Sequence, residues 1–220
     1  MTARRGKLIV FEGLDRSGKS TQCDRLVAHL RNRGQRVEHL RFPDRTTPIG
    51  KMINSYLSGG SQQEDHVIHL LFSANRWELA SAISTLINDG ITVVVDRYYY
   101  SGCVYSAAKG VVGMDLEWCR QPEVGLPRPD VCLFLDLSAE EAAKRGGFGL
   151  ERYEKKEMQD RVRELFAELR EHKDEADDIV VVDAGCSVGE VEEIIHGLVD
   201  EACSLADRSG LPLRSVAPWS

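Results

Sequence analysis

Short runs of β-branched and aliphatic residues alternate along this chain with longer stretches in which apolar positions recur every three or four residues. That alternation predicts a parallel β-sheet covered on both faces by helices, because a strand buried on both sides reads as a continuous apolar run. The runs predict five strands, at residues 7–12, 36–41, 91–95, 131–136 and 179–182. Cys23, Leu26, Val27 and Leu30 share one helical face, and Gly34 is placed to end that helix. A long helix is expected from about residue 64 to 88, stopping near Gly90. Val188, Val191, Ile194, Ile195, Leu198, Ala202 and Leu205 keep three-and-four spacing and predict a final amphipathic helix. The expected architecture is one α/β domain over residues 1–220, with a loosely held tail from about 207 to 220. Gly59-Gly60 and Gly146-Gly147 read as mobile loops within that domain.

Composition narrows the class. Apolar residues at 42% and charged residues at 29% are ordinary globular values. The formal net charge of -7 argues against a nucleic-acid backbone as the main partner, since that role shows as a basic face. No apolar run approaches the roughly 20 residues of a membrane span, and residues 1–6 lack the apolar core of a signal peptide. The six cysteines are widely spaced, with no C-x-x-C pair, and read as buried or incidental thiols in a reducing compartment. A cytoplasmic protein is expected, with a nuclear pool compatible with the sequence.

The candidate chemistry begins directly after the first strand. Gly13-Leu14-Asp15-Arg16-Ser17-Gly18-Lys19-Ser20-Thr21 matches G-x-x-x-x-G-K-[ST] between a strand and a helix, the context in which backbone N–H groups cradle a polyphosphate. Lys19 would face the β- and γ-oxygens of ATP, and the Ser20 hydroxyl would enter a Mg2+ shell. Arg16 lies inside the loop, where it could reach the γ-phosphate as a built-in arginine finger. There is no N-K-x-D stretch of the kind guanine-specific GTPases use.

Asp96 ends the run Val93-Val94-Val95 and reads as the carboxylate that orients the metal, or as a plain strand-end aspartate. Arg97 follows it, and Arg45 follows the second strand within Phe42-Pro43-Asp44-Arg45. Both arginines lie beyond the carboxyl ends of strands, where open α/β sheets bind ligands, and both suit bidentate capture of a second phosphate, with a solvated surface charge as the plainer alternative. Phe72 and Arg76 are four residues apart on one face of the long helix, a spacing compatible with a base pocket and also with ordinary core packing.

Together these motifs resemble the thymidylate kinases of the eukaryotic type. The residues that carry the resemblance are the phosphate loop with Phe11-Glu12 before it, Leu40-Arg41-Phe42-Pro43, Leu71-Phe72-Ser73-Ala74-Asn75-Arg76, Val95-Asp96-Arg97-Tyr98, residues 121–130 and Glu151-Arg152-Tyr153-Glu154. The resemblance implies a three-layer P-loop NTPase fold, a five-stranded parallel sheet with helices on both faces, and a mobile lid over residues 141–152. It implies transfer of the γ-phosphoryl group of ATP to dTMP, with small-molecule partners and a homodimer built on packed helices. By position, it implies that Asp15 holds the sugar 3′-hydroxyl and that Arg45 and Arg97 clamp the acceptor phosphate. Phe72 would stack on thymine with Phe42 nearby, Arg76 would donate to O4, and Tyr105 would exclude a ribose 2′-hydroxyl. Tyr153 would lie beside the acceptor. Arg145 would cover the adenine ring, and the backbone near Ala184-Gly185-Cys186 would hold its edge. Other monophosphate acceptors, and a nucleotide-binding regulator without transfer, are the competing readings.

Overall fold

The computed structural model describes residues 4–144, 152–153 and 156–220. In chain order the elements are β1 (Leu8–Gly13), α1 (Lys19–Asn32), β2 (Val37–Arg41), α2 (Pro48–Leu57), α3 (Asp65–Asn88), β3 (Thr92–Asp96), α4 (Tyr99–Ala107), α5 (Leu116–Arg120), β4 (Val131–Asp136), α6 (Ala139–Lys144), α7 (Lys156–Glu171), β5 (Ile179–Asp183) and α8 (Val188–Ser209). The five strands pair in the order β2-β3-β1-β4-β5, every neighbour parallel.

Alternation along each strand divides the core. Leu8, Val10, Val93, Val95, Cys132 and Phe134 point to a layer built with α3, α4, α5 and α7. Ile9, Phe11, Val94, Leu133 and Leu135 point to the opposite layer, formed with α1 and α8. All these strand residues are buried because both faces are covered, which is why the strands read as unbroken apolar runs. From central β1 the chain winds out to β2 and β3 on one side, then crosses to β4 and β5 on the other. The reversal opens a crevice at the carboxyl ends of the strands, beside β1.

The predicted strands agree with the observed ones to within a residue at either end. The long helix begins one residue later than expected because the Glu64 side chain caps it, accepting from the N–H groups of His66 and Val67. α2, α4, α5, α6 and α7 were not among the predicted helices. α4 is enclosed on nearly every side, with Tyr99, Tyr100, Ser101, Cys103, Val104, Ser106 and Ala107 buried, so its sequence carries no amphipathic period. α7 has the period plainly in Val162, Leu165, Phe166 and Leu169, all buried.

The tail departs from expectation. Instead of lying loose, residues beyond Gly210 return to the body: Val216 is buried, Ser215 forms an antiparallel bridge with Pro127, and the Trp219 indole stacks on His172 at 3.9 Å. Short segments broken by prolines, here Pro212 and Pro218, carry no helical or strand period and read as loose, and only long-range pairing of this kind reverses that reading. No described helix is long and apolar enough to cross a membrane.

Leu133, wholly buried at the centre of the sheet, tests the packing directly. Leu133→Ala is expected to lose about 2–5 kcal/mol of stability, read by urea denaturation with the slope unchanged.

Candidate active site

β1 delivers the phosphate loop to the crevice, and its first glycine is obligatory. Gly13 has φ 137°, and a Cβ there would lie 2.4 Å from the Leu135 carbonyl oxygen of β4. The loop ends at Gly18, left-handed with φ 94°, which turns the chain into α1. The N-terminus of α1 therefore opens onto a cleft of about 570 Å³. Arg16, Ser17, Gly18, Lys19, Ser20 and Thr21 all line it. Arg16 holds a positive φ of 69°. On the far wall the cleft is bounded by Ala184, Cys186 and the first turn of α8, which a reciprocal Ser187–Glu190 capping box fixes.

Lys19 is buried and its Nζ donates to the Leu14 carbonyl oxygen at 2.5 Å. Burial, reinforced by the neighbouring Arg97 charge, lowers its pKa to about 7. Ser20 Oγ donates to Asp96 Oδ2 at 2.6 Å, joining the start of α1 to the end of β3. Arg41, at the end of β2, brings Nε to 3.7 Å from the same carboxylate oxygen.

Beside this cleft lies a second cavity of about 390 Å³, and the two share Asp15, Arg41 and Arg97. Arg97 pairs with Asp15, and its Nη1 donates to the Gly13 carbonyl oxygen at 3.3 Å and to Ser101 Oγ at 3.0 Å. Its backbone φ of 67° is the kink that aims the side chain back toward the phosphate loop. Burial works against its charge, but Tyr105, Asp15, Glu12 and Asp96 together raise its pKa above the ordinary arginine value. For Asp15, burial pulls upward and is outweighed by Arg97 and Lys19, so the carboxyl ends below its ordinary range. Tyr105 Oη and Gln159 Nε2 also donate to Asp15, at 3.1 and 3.0 Å.

The second cavity gathers the remaining predicted residues. Phe42, Arg45, Phe72, Arg76, Tyr105 and Tyr153 all line it. Arg45 is exposed, with Nη1 donating to Asn54 Oδ1 at 2.9 Å. Phe72 is partly buried and Phe42 almost wholly so, packed against Tyr98. Arg76 is buried at the floor, where its Nε and Nη2 donate to Glu123 at 2.8 and 2.5 Å, so Glu123 does not engage Nη1. Gly102 packs directly above it: a Cβ there would lie 2.6 Å from the Arg76 guanidinium and force it to shift. Tyr153 packs against Tyr56 and Tyr105. Arg145 and most of the expected lid, residues 141–152, lie outside the described residues, as do Glu151 and Glu154.

Several residues that organise the site were given no role from the sequence, although Glu12, Arg41 and Glu123 fall in segments that carry the family resemblance. Glu12 is wholly buried and accepts from the Tyr98 and Ser101 N–H groups at 2.8 and 3.0 Å, capping the start of α4 behind Arg97. Burial raises its carboxyl above the ordinary range, with Arg97 opposing. Glu123, Gln159 and Arg41 were likewise given no role. Lys109 falls in a stretch to which no role was assigned, yet its Nζ reaches Asp65 Oδ1 at 2.8 Å and lies over the Tyr56 and Tyr153 rings. A lone charged residue carries no periodic signal, so pattern could not find these. A buried glutamate closing the apolar run of β1 was the one clue available.

The family model described as thymidylate kinase matches residues 11–195. The chain is 49% identical over 211 residues to the thymidylate kinase of Homo sapiens, covering 96% of this chain and 98% of that protein. It is 51% identical over 196 residues to the thymidylate kinase of Schizosaccharomyces pombe, covering 89% and 92%. Among solved structures, the thymidylate kinase of Candida albicans superposes with a TM-score of 0.85 at 37% identity, over 97% of this chain and 99% of that one. The Candida albicans enzyme has a broad substrate specificity and a novel structural element. The sheet and its flanking helices are thus the three-layer P-loop NTPase fold. With two adjoining clefts meeting at a partly buried arginine, this chain belongs to the thymidylate kinase family, ATP-dependent enzymes that phosphorylate dTMP to dTDP.

Proposed function

We propose that the 570 Å³ cleft takes ATP, that the 390 Å³ cavity takes dTMP, and that transfer occurs where they meet, at Asp15, Arg41 and Arg97. The sharing of these three residues carries the reading, because phosphoryl transfer needs donor and acceptor in line with cations at the junction. An acceptor phosphate oxygen attacks the γ-phosphorus as the bond to the bridging oxygen of ADP breaks. A monophosphate is already anionic at neutral pH, so no general base is required. Lys19 and Arg16 hold the β- and γ-oxygens, and Arg97 with Arg45 positions the acceptor phosphate. Asp15 orients Arg97 and takes the sugar hydroxyl. Phe72 and Phe42 enclose the base, Tyr105 and Tyr153 flank the sugar, and one N–H of Arg76 Nη1 meets the base carbonyl. The backbone at Ala184-Gly185-Cys186 borders the adenine.

The donor set fits Mg2+. Among the described residues no cluster of three or more acidic, histidine or cysteine side chains forms a protein-only metal cage. The Ser20 hydroxyl beside the Asp96 carboxylate instead offers the hard oxygens of an ion that keeps waters and phosphate oxygens in its shell. Ser20 and Asp96 would hold it, and bound there it would supply charge neutralisation to the polyphosphate.

We also propose that two copies of the chain pair through α3. Val67, Leu70 and Trp77 are 44%, 47% and 42% exposed, three large apolar side chains spaced by three and seven along one stripe. All six cysteines are free thiols, which supports a reducing, cytoplasmic setting.

With ATP and dTMP at saturation, Arg16→Ala and Lys19→Ala are each expected to cost about 2–5 kcal/mol of barrier, roughly 30- to 5,000-fold in kcat, by ADP-release assay. Unchanged turnover in either variant sinks the proposed roles. Because Lys19 sits near pH 7 without nucleotide, at pH 8 it is mostly neutral and regains its proton beside a polyphosphate. ATP binding at pH 8 should therefore take up to about one proton, and the uptake should shrink as pH falls through 7. Calorimetry in two buffers of different ionisation enthalpy measures this, and Lys19→Met should abolish it. Finally, light scattering is expected to find a dimer at micromolar concentration and a monomer for Leu70→Glu; a monomeric wild type removes the α3 interface.

A further inference from the structure

Residues 121–130 lie behind the acceptor cavity, against its lining residues Arg76 and Tyr98, without forming a strand or α-helix, only a 3-10 turn at Gln121–Glu123. Three groups of this segment bear on the cavity. Glu123 holds Arg76 through two hydrogen bonds. The Pro127 carbonyl accepts from Tyr98 Oη at 3.1 Å, and Tyr98 lines the cavity and packs on Phe42. The Pro122 carbonyl accepts from Trp77 Nε1 at 2.8 Å and Ser73 Oγ at 3.2 Å, both on α3 beside Phe72 and Arg76.

The other edge of the segment belongs to the C-terminus. Gly125 N–H donates to the Val216 carbonyl, Val216 N–H to the Leu126 carbonyl, and Arg128 N–H to the Arg214 carbonyl, all at 2.8 Å. Pro127 and Ser215 face one another in the bridge, and Val216 is buried in the core layer of α4 and α7. Beyond it, Arg120 Nη1 donates to the Ala217 carbonyl at 2.5 Å. Arg120 and the Trp219 indole both bond Glu175, which is wholly buried. The last residues of the chain therefore satisfy backbone donors of a segment some 90 positions earlier, which has no sheet or helix of its own to satisfy them.

We infer that residues 214–219 are a positioning element of the acceptor site: by fixing the 121–128 segment they set where Glu123 holds Arg76, and so how closely Arg76 meets the base. The inference rests on the reading that Arg76 recognises the base carbonyl. In that reading cytosine is rejected because its amino group would face the Arg76 donor. A guanidinium displaced by a fraction of an ångström loses that discrimination. Neither the phosphate loop nor the adenine wall touches the segment through the contacts described, so the donor cleft should be indifferent to it.

The experiment compares kcat and KM for dTMP, dCMP and ATP in the full-length wild type, a chain ending at residue 210, and Val216→Pro, which removes the Val216 donor and keeps an apolar side chain. In the last two, the KM for dTMP is expected to rise on the order of tenfold, short of the ~100-fold that a 1 Å misplacement can cost. The preference for dTMP over dCMP should fall, with the KM for ATP unchanged. A purely structural tail would instead lower kcat for every acceptor through loss of folded enzyme, leaving KM values and preference intact. That outcome, or no change at all in Val216→Pro, overturns the inference even if the truncated chain fails to fold. Arg76→Ala separates the two readings: if it leaves the dTMP preference untouched, base recognition by Arg76 falls and this inference with it. If Arg76→Ala removes the preference but Val216→Pro does not, only the role of the tail is lost. Glu123→Gln combined with Val216→Pro should be non-additive in KM, because both act on one guanidinium; additive effects count against the relay.

Discussion

Two cations taken out of water, Lys19 and Arg97, set the terms for everything around them. Neither could be buried without compensation, since an isolated charge in a protein interior costs several kcal/mol. Glu12, Asp15 and Asp96 supply it, each from the carboxyl end of β1 or β3 or from the loop between β1 and α1. The parallel sheet brings those ends together on one edge, and the strand-order reversal beside β1 leaves a gap there. At Lys19 burial, with Arg97 adding to it, still outweighs those carboxylates and holds the pKa below the ordinary lysine value. A polyphosphate bound beside Lys19 would favour its charged form, by the same electrostatics that pairs Arg97 with Asp15.

The same logic repeats away from the reacting centre. Arg76 and Glu123 form a second pair almost without solvent contact, and Arg120 and Glu175 a third. Breaking such a pair by removing one partner is costly, whereas the intact pair holds two distant segments in a single relative position. Arg76–Glu123 ties α3 to the 121–128 segment, and Arg120–Glu175 ties that segment's base to the turn before β5 and, through Trp219, to the end of the chain. Buried ion pairs thus serve here as geometric fixtures, and the acceptor cavity inherits its shape from them.

Much of this was legible in the sequence, for a definable reason. The five strands are visible because burial on both faces demands unbroken apolar runs. The phosphate loop is visible because its glycines, lysine and serine are tied to fixed backbone geometry, as the contact of Gly13 with the Leu135 carbonyl illustrates. Asp96 and Arg97 could be nominated from their places on predicted elements, whereas Phe72 and Arg76 gained their roles only through the family resemblance. α4 was missed because a helix enclosed on nearly every side shows no polar stripe, and the tail was misread because its short run, broken by Pro212 and Pro218, gives no sign of the strand-like partner it finds at residues 125–128.

Local composition determined the element types, the anion-binding loop and the residues able to recognise phosphate, because those depend on backbone conformation and on neighbours within a few positions. Tertiary structure alone decided which charges meet. Asp15 with Arg97, Glu12 with the start of α4, Arg76 with Glu123 and Gly125 with Val216 are separated by 47 to 91 positions. Pairings over such distances are chosen by the fold's topology and by the need to satisfy buried polar groups, and neither acts on a segment read by itself.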